Sequence, residues 1–107
     1  MDDQRFSRPI HRHGSQGDGY MITRSTRISA ITVRPQDGDV LVRFTDGAGG
    51  QELWSVEADN ASGSHFECFG AYPLLAKQGV YITVVDDSGL TNWDVSIAVI
   101  EPMSSGT

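Results

Sequence analysis

The sequence predicts an all-β protein, a single antiparallel β-sandwich of jelly-roll-like type with about seven to eight strands and an extended N-terminal arm. Apolar residues recur at every second position in short segments, and no window keeps the 3.6-residue period of a helix. Turn-forming residues separate these segments at intervals of roughly 8–12 residues, which is typical of sandwiches and barrels. The length of 107 residues leaves room for one domain.

The clearest alternation lies between Gly79 and Glu101. It predicts two strands, Val80–Val85 and Trp93–Ile100, joined by a turn-rich segment over residues 86–92. The residues expected on the core-facing sides are Val80, Ile82 and Val84 in the first strand and Trp93, Val95, Ile97 and Val99 in the second. We therefore expect a C-terminal β-hairpin on which the earlier strands assemble.

Residues 1–19 are predicted to form the arm. The segment Gly14–Gly19 is rich in chain-breaking residues, and the residues before it hold too few apolar side chains to fold alone. Such an arm is either a loose tail or a segment that becomes ordered on a partner. In the second case its expected partner contacts are Arg5, Phe6, Arg8, Ile10 and Arg12.

The sandwich domain is predicted over residues 20–102, with a short polar tail over residues 103–107. We expect Phe66 and Cys68 to share one apolar face of a short strand, with Cys68 buried, and Leu74 and Leu75 to pack inward from a connecting segment. The earlier strands are predicted at Tyr20–Thr23, Ile28–Arg34, Val40–Thr45, Gln51–Ala58 and His65–Phe69.

The charge balance argues against several partner classes. Eight Lys and Arg residues oppose 14 Asp and Glu residues, for a net charge of -6. An acidic domain of this kind does not favour nucleic acid or an anionic membrane as a partner. Residues 1–34 carry six Arg against three Asp, so the basic arm could dock on an acidic surface, including that of a neighbouring copy. The alternative is that these Arg side chains are only solvated.

A single cysteine, Cys68, excludes an intrachain disulfide framework. The fold must therefore be held by packing, which suits an intracellular origin. The sequence contains no apolar run long enough to span a bilayer, and its first residues lack the apolar region of a signal peptide.

Candidate metal sites are weak. His11 and His13 form an H-x-H pair on the predicted arm, whereas His65 and Cys68 would point to opposite faces of a strand. The acidic turns do not match the spacing of a calcium loop. No nucleophile motif or phosphate-binding loop is present. We therefore expect no metal, no cofactor, no catalytic residue and no enzymatic activity.

The aromatic residues leave a sugar-binding interpretation open. Trp93 shares a face with three apolar residues and is expected in the core, and a core position is also the simpler interpretation of Trp54. Tyr81 falls on the face opposite Val80 and Ile82. We expect Tyr81 to be an exposed or interface aromatic residue.

Three segments of the body share a pattern of strands and turns. They are Ile28-Ser29-Ala30-Ile31-Thr32-Val33, then Val40-Leu41-Val42-Arg43-Phe44-Thr45-Asp46-Gly47 leading to Leu53-Trp54, and Pro73-Leu74-Leu75-Ala76-Lys77-Gln78-Gly79-Val80-Tyr81-Ile82-Thr83-Val84. The last has a turn, an apolar pair, Lys-x-Gly and a long strand. With these segments the chain resembles small β-sandwich virion proteins of tailed bacteriophages, of the capsid decoration or cement type.

This resemblance implies a non-enzymatic structural protein that stabilises a capsid surface through its sandwich and arm. Its partners would be the major capsid protein and copies of itself in a homotrimer, and it would be made in the host cytoplasm and located on the virion. The alternative is a carbohydrate-binding or host-adhesion module, or a phage neck or tail accessory protein.

Overall fold

Two antiparallel sheets make up the described part of the chain. The structure, a computed structural model, describes residues 5–14, 17–36, 38–59, 61, 63–86 and 93–102. Its strands are β1 (Arg5–His13), β2 (Gly19–Ile22), β3 (Thr26–Pro35), β4 (Val40–Asp46), β5 (Glu52–Ala58), β6 (His65–Cys68), β7 (Leu74–Ala76), β8 (Val80–Asp86) and β9 (Trp93–Pro102). The all-β prediction is confirmed, and the two sheets are compatible with the predicted sandwich.

We call the two sheets A and B. Sheet A has the strand order β1-β9-β3, and both β6 and β7 pair with the far edge of β3. Sheet B has the order β2-β8-β4-β5. Among these strands, only β4 and β5 form a hairpin in which consecutive strands pair.

The core is built from alternate residues of both sheets, as the period-2 pattern predicted. Trp93 is 4% exposed, which confirms its predicted core position. Val84 is only partly buried but packs against the core. The fully buried large side chains are Phe44, Ile28, Ile31, Ile82, Ile97, Val33, Val40, Val42, Val80, Val95 and Val99.

The predicted C-terminal hairpin is wrong. β8 pairs with β2 and β4 in sheet B, whereas β9 pairs with β1 and β3 in sheet A. Alternation places one face of each strand in a core, but it does not say whether two such strands lie side by side or across the core from each other. Residues 87–92 of the predicted turn lie outside the described residues.

The N-terminal segment also differs from the prediction. Residues 5–13 form β1, which pairs with β9 from Asp94 to Pro102. Ile10 lies opposite Ile97 and packs against the core. The prediction weighed only the apolar content of the segment and omitted the backbone hydrogen bonds that a free sheet edge offers. The predicted C-terminal tail lies outside the described residues.

The segment predicted to connect β6 to β8 contains a strand of its own. In β7, Leu74 lies opposite the buried Ile28, whereas Leu75 lies opposite the exposed Arg27. Leu74 therefore packs against the core as predicted. Leu75 is 45% exposed, so its predicted inward packing is wrong, because adjacent residues of a strand point to opposite faces.

The Lys-x-Gly segment before β8 is held against the β4–β5 turn. The backbone N–H of Gln78 donates to Asp46 Oδ1 at 2.6 Å, and that of Gly47 donates to the Gly79 carbonyl at 3.0 Å. Gly79 has a φ of 112°, and a Cβ there would lie 2.5 Å from the Ile22 carbonyl oxygen. Glycine is therefore required at this position by both its backbone angle and the space available.

Candidate ligand-binding surface on sheet A

The outward face of sheet A carries two rows of polar residues across β1, β9 and β3. Their inward neighbours in β9 and β3, Val95 and Val33, are fully buried, so the flanking residues face outward. The first row is His13, Asp94 and Arg34, and the second is His11, Ser96 and Thr32. These six residues line a depression of about 180 Å³, which we call the His–Arg depression.

Asp94 is the carboxylate of this depression, and both of its oxygens are engaged. His13 Nδ1 contacts Oδ1, and Gln36 Nε2 donates to Oδ2 at 2.9 Å. The Asp94 side chain is 31% exposed. Both oxygens of this carboxylate are therefore hydrogen-bonded to neighbours within the protein.

Arg34 and His11 are placed differently. Within the part of the chain that the structure describes, neither side chain has a hydrogen bond or an ion pair, and both are exposed. Arg34 carries a permanent positive charge and five donors. The depression therefore presents to solvent a guanidinium, an imidazole, and the hydroxyls of Thr32 and Ser96.

An exposed aromatic residue, Phe66, lies one strand beyond the depression, although it is not among the lining residues. Phe66 of β6 lies directly opposite Thr32 and continues the second row. Its side chain is 63% exposed. Arg34, the two hydroxyls and an exposed ring thus lie together on one face, an arrangement suited to binding a polar ligand.

Two further exposed apolar side chains lie in the elements along the same outer edge of sheet A as Phe66. Tyr72, in the β6–β7 connection, is 86% exposed, and Leu75 of β7 is 45% exposed. We call Phe66, Tyr72 and Leu75 the apolar edge. Cys68 is exposed beside it. Its predicted burial is wrong, because it lies opposite Ala30 on the outward face and not opposite the buried Ile31.

The histidines and the cysteine do not converge. His11 and His13 lie on β1, at the opposite edge of sheet A from β6. His65 contacts Glu67 Oε1 at 3.2 Å. Among the described residues, no group of three or more His, Cys, Asp or Glu side chains could hold a metal ion.

Arg12, one of the predicted partner contacts, is engaged within the chain. Its guanidinium donates to the carbonyls of Gly17 at 2.7 Å, Asp18 at 3.0 Å and Tyr20 at 3.3 Å. Together with Ile10 it ties β1 to the fold. The side chains of Arg5, Phe6 and Arg8 lie outside the described part of the structure, so their predicted role as partner contacts stays a prediction.

The predicted interface aromatic, Tyr81, is half-buried under another tyrosine. The rings of Tyr81 and Tyr20 meet edge to face at 5.1 Å between centroids. The Tyr20 hydroxyl accepts a hydrogen bond from the backbone N–H of Ala48 at 3.0 Å. Tyr20 therefore covers Tyr81 and braces the β4–β5 turn.

Trp54 is less buried than a core position requires. It is 36% exposed on the edge strand β5, and its ring packs edge to face on Phe69 at 4.9 Å. Neither Trp54 nor the buried Trp93 lines the His–Arg depression.

Sequence reasoning missed Thr32, Arg34, Asp94 and Ser96 as a group. Alternation alone would place each of them on the outward face of its strand. Their proximity depends on β9 lying between β1 and β3, and this strand order has no local signature in the sequence.

Comparisons of the chain with family models, with curated proteins and with solved structures gave no match. The described residues contain no helix that is long and apolar enough to cross a membrane. No residue role can be transferred from a relative, so function must be inferred from the surface chemistry of sheet A and its edge.

Proposed function

We propose that this chain is a non-enzymatic structural protein of a phage virion, a decoration or cement protein that binds and stabilises the capsid surface. The observation that carries the proposal is the apolar edge formed by Phe66, Tyr72 and Leu75, which are 63%, 86% and 45% exposed. Phe66 and Leu75 lie along the same side of β3, opposite Thr32 and Arg27, and exposed apolar side chains along one sheet edge are candidates for a protein interface. Binding at many equivalent capsid positions would multiply a weak contact.

The proposal includes a jelly-roll topology. It is supported by the strand orders β1-β9-β3 and β2-β8-β4-β5, with β6 and β7 sharing the outer edge of β3 as one interrupted strand. Counted in this way, each sheet has four strands, and the total of eight is that of a double-sheet jelly roll. Jelly rolls occur in viral capsid proteins and in lectins, so this topology is compatible with capsid binding and with carbohydrate binding.

The capsid proposal predicts that replacing the apolar edge abolishes capsid occupancy. The variant carries Phe66→Ser, Tyr72→Ser and Leu75→Ser. Because these side chains are exposed, the fold should tolerate the changes. Occupancy is measured by sedimenting capsids of the encoding virus that lack this chain, after adding the purified variant.

The matched control carries Ala48→Ser, Glu52→Ser and Glu57→Ser, three exposed positions around the β4–β5 hairpin. The control should bind like the unchanged chain. Full occupancy by the apolar-edge variant would overturn the edge as the capsid contact. The arm contribution is tested separately with Arg5→Ala, Phe6→Ala and Arg8→Ala, because Ile10 and Arg12 also support the fold.

A second candidate function is a carbohydrate-binding or host-adhesion module. It is favoured by one observation, the His–Arg depression beside the exposed ring of Phe66. Sugars are commonly held by polar side chains that bind their hydroxyls and by an aromatic ring that packs on the sugar face.

A further inference from the structure

We propose that the His–Arg depression binds an acidic saccharide, with the sugar carboxylate on Arg34 and the sugar ring against Phe66. This inference rests on the second candidate function and adds the chemical class of the ligand. It is carried by the combination of an exposed cation without a partner among the described residues, two hydroxyls and an exposed ring on one outward face.

The charge of the depression is the first argument. The chain as a whole carries a net charge of -6, so its field repels anions in general. In the depression, however, Asp94 is engaged by His13 and Gln36, whereas the Arg34 guanidinium has no partner among the described residues. A planar guanidinium matches a carboxylate with two parallel hydrogen bonds.

The hydroxyls and the ring exclude a simple anion as the best-fitting ligand. Thr32 lies two residues from Arg34 on β3, and Ser96 lies between Thr32 and His11 in the second row. Each hydroxyl can both donate and accept. The next residue along the second row is Phe66, which offers an apolar face that a bare phosphate or acetate would leave unused. A sugar ring with one carboxylate uses all three kinds of group.

The proposed ligand would extend from the depression to the neighbouring strand. The depression has a volume of about 180 Å³, and Phe66 lies on β6, one strand spacing beyond Thr32. Adjacent strands are about 4.8 Å apart, so the three strands β1, β9 and β3 span about 10 Å. The site is open to solvent at the outward face, which would let a terminal or internal residue of a longer acidic glycan enter.

The test uses three probes on the full chain, followed through backbone amide shifts in NMR titrations. Glucuronic acid is the acidic sugar, glucuronamide is the same ring without the charge, and sodium acetate is the charge without the ring. We expect glucuronic acid to shift the amides of Thr32, Arg34 and Ser96. Its affinity should be at least fivefold higher than that of either other probe, and should fall as salt is added.

Two variants and a matched control assign the roles. Arg34→Gln should lower the affinity for glucuronic acid about fivefold. Phe66→Ala should lower the affinity for both sugars and leave the affinity for acetate unchanged. Arg27→Gln is the control, because Arg27 is an exposed arginine on the same strand, seven residues from Arg34. It should leave all three affinities unchanged.

The outcomes separate the inference from the function on which it rests. Equal affinity for glucuronic acid and glucuronamide would overturn the acidic-sugar inference and leave a carbohydrate-binding function standing. Equal affinity for acetate and glucuronic acid would overturn sugar recognition. Absence of shifts with both sugars at tens of millimolar would overturn the inference and the second candidate function together.

Discussion

At the scale of single residues, Thr26 is a polar side chain buried in the described part of the fold. It opens β3, is 7% exposed, and its Oγ1 has no hydrogen-bond partner among the described residues. Removing a hydroxyl from water without a new hydrogen bond costs free energy, whereas a methyl group of the same size does not incur this cost.

We therefore predict that Thr26→Val increases the free energy of unfolding by about 1 kcal/mol. The measurement is urea denaturation followed by circular dichroism. The matched control is Thr45→Val, because Thr45 Oγ1 donates to the Gly47 carbonyl at 2.8 Å. The free energy of unfolding of this control should decrease by about 1 kcal/mol. A loss of similar size in both variants would show that the Thr26 hydroxyl is satisfied in solution.

Residue positions inside the sheets were the most predictable part of the structure. The alternation correctly placed Val95, Ile97 and Val99 in the core, because a period of two is a property of the strand itself. The predicted burial was wrong for Cys68, which shares the face of Phe66 as alternation requires but is exposed, and for Leu75, which was assigned to a connecting segment and not to a strand. Both lie on short strands at the edge of sheet A, where an apolar side chain can face outward without being covered by a further strand.

At the scale of elements, β1 is held by its pairing with β9 along its whole length and by the side chains of Arg12 and Ile10. Arg12 joins β1 to the β1–β2 connection and the start of β2 through three backbone carbonyls, and the guanidinium lies close against Gly19. Ile10 adds a partly buried contact with the core. These interactions were invisible to a composition argument, which treated both residues as available to a partner.

We predict that Arg12→Gln decreases the free energy of unfolding by about 2 kcal/mol, because hydrogen bonds from a charged donor are lost. Arg12→Lys should restore only part of the lost free energy of unfolding, since an ammonium group cannot form the hydrogen bonds of the planar guanidinium. Urea denaturation gives the stability, and hydrogen exchange of β1 amides gives the local effect.

Arg27→Gln serves as the comparison, because Arg27 is exposed on β3, and it should stay within about 0.5 kcal/mol of the unchanged chain. If Arg12→Gln left stability and β1 exchange unchanged but reduced capsid occupancy, the sequence-based interpretation of Arg12 as a partner contact would be correct.

The pairing of elements was the least predictable feature. Val80–Val85 and Trp93–Ile100 were correctly recognised as strands, yet they belong to different sheets. The His–Arg depression was also unpredictable, because its residues come from three strands that are not neighbours in the sequence. Local sequence patterns predict which face of a strand is buried. Which strands pair with each other depends on how all the strands together cover one core.

At the scale of the whole molecule, the homotrimer that the resemblance to virion proteins implies can be tested at the apolar edge. If copies meet through the apolar edge, light scattering should give about three times the chain mass of 11.6 kDa, and the Phe66, Tyr72 and Leu75 triple variant should give the mass of one chain. The Ala48, Glu52 and Glu57 variant should keep the larger mass.

A monomer for the unchanged chain at micromolar concentration would contradict the homotrimer that the resemblance implies. A trimer that persists in the apolar-edge variant would show that copies meet through another surface. The apolar edge would then remain available to the capsid.

The pairing of β1 with β9 has a consequence for biosynthesis. His13 and Asp94 are 81 positions apart, so β1 leaves the ribosome long before its partner strand exists. At a synthesis rate of about 5–20 residues per second, this delay is on the order of 4–16 s. During that interval β3 also lacks its partner β9, so β1 and β3 cannot be joined in sheet A. The nascent chain therefore presents unpaired strand edges to chaperones and to other nascent copies until the last strand is made.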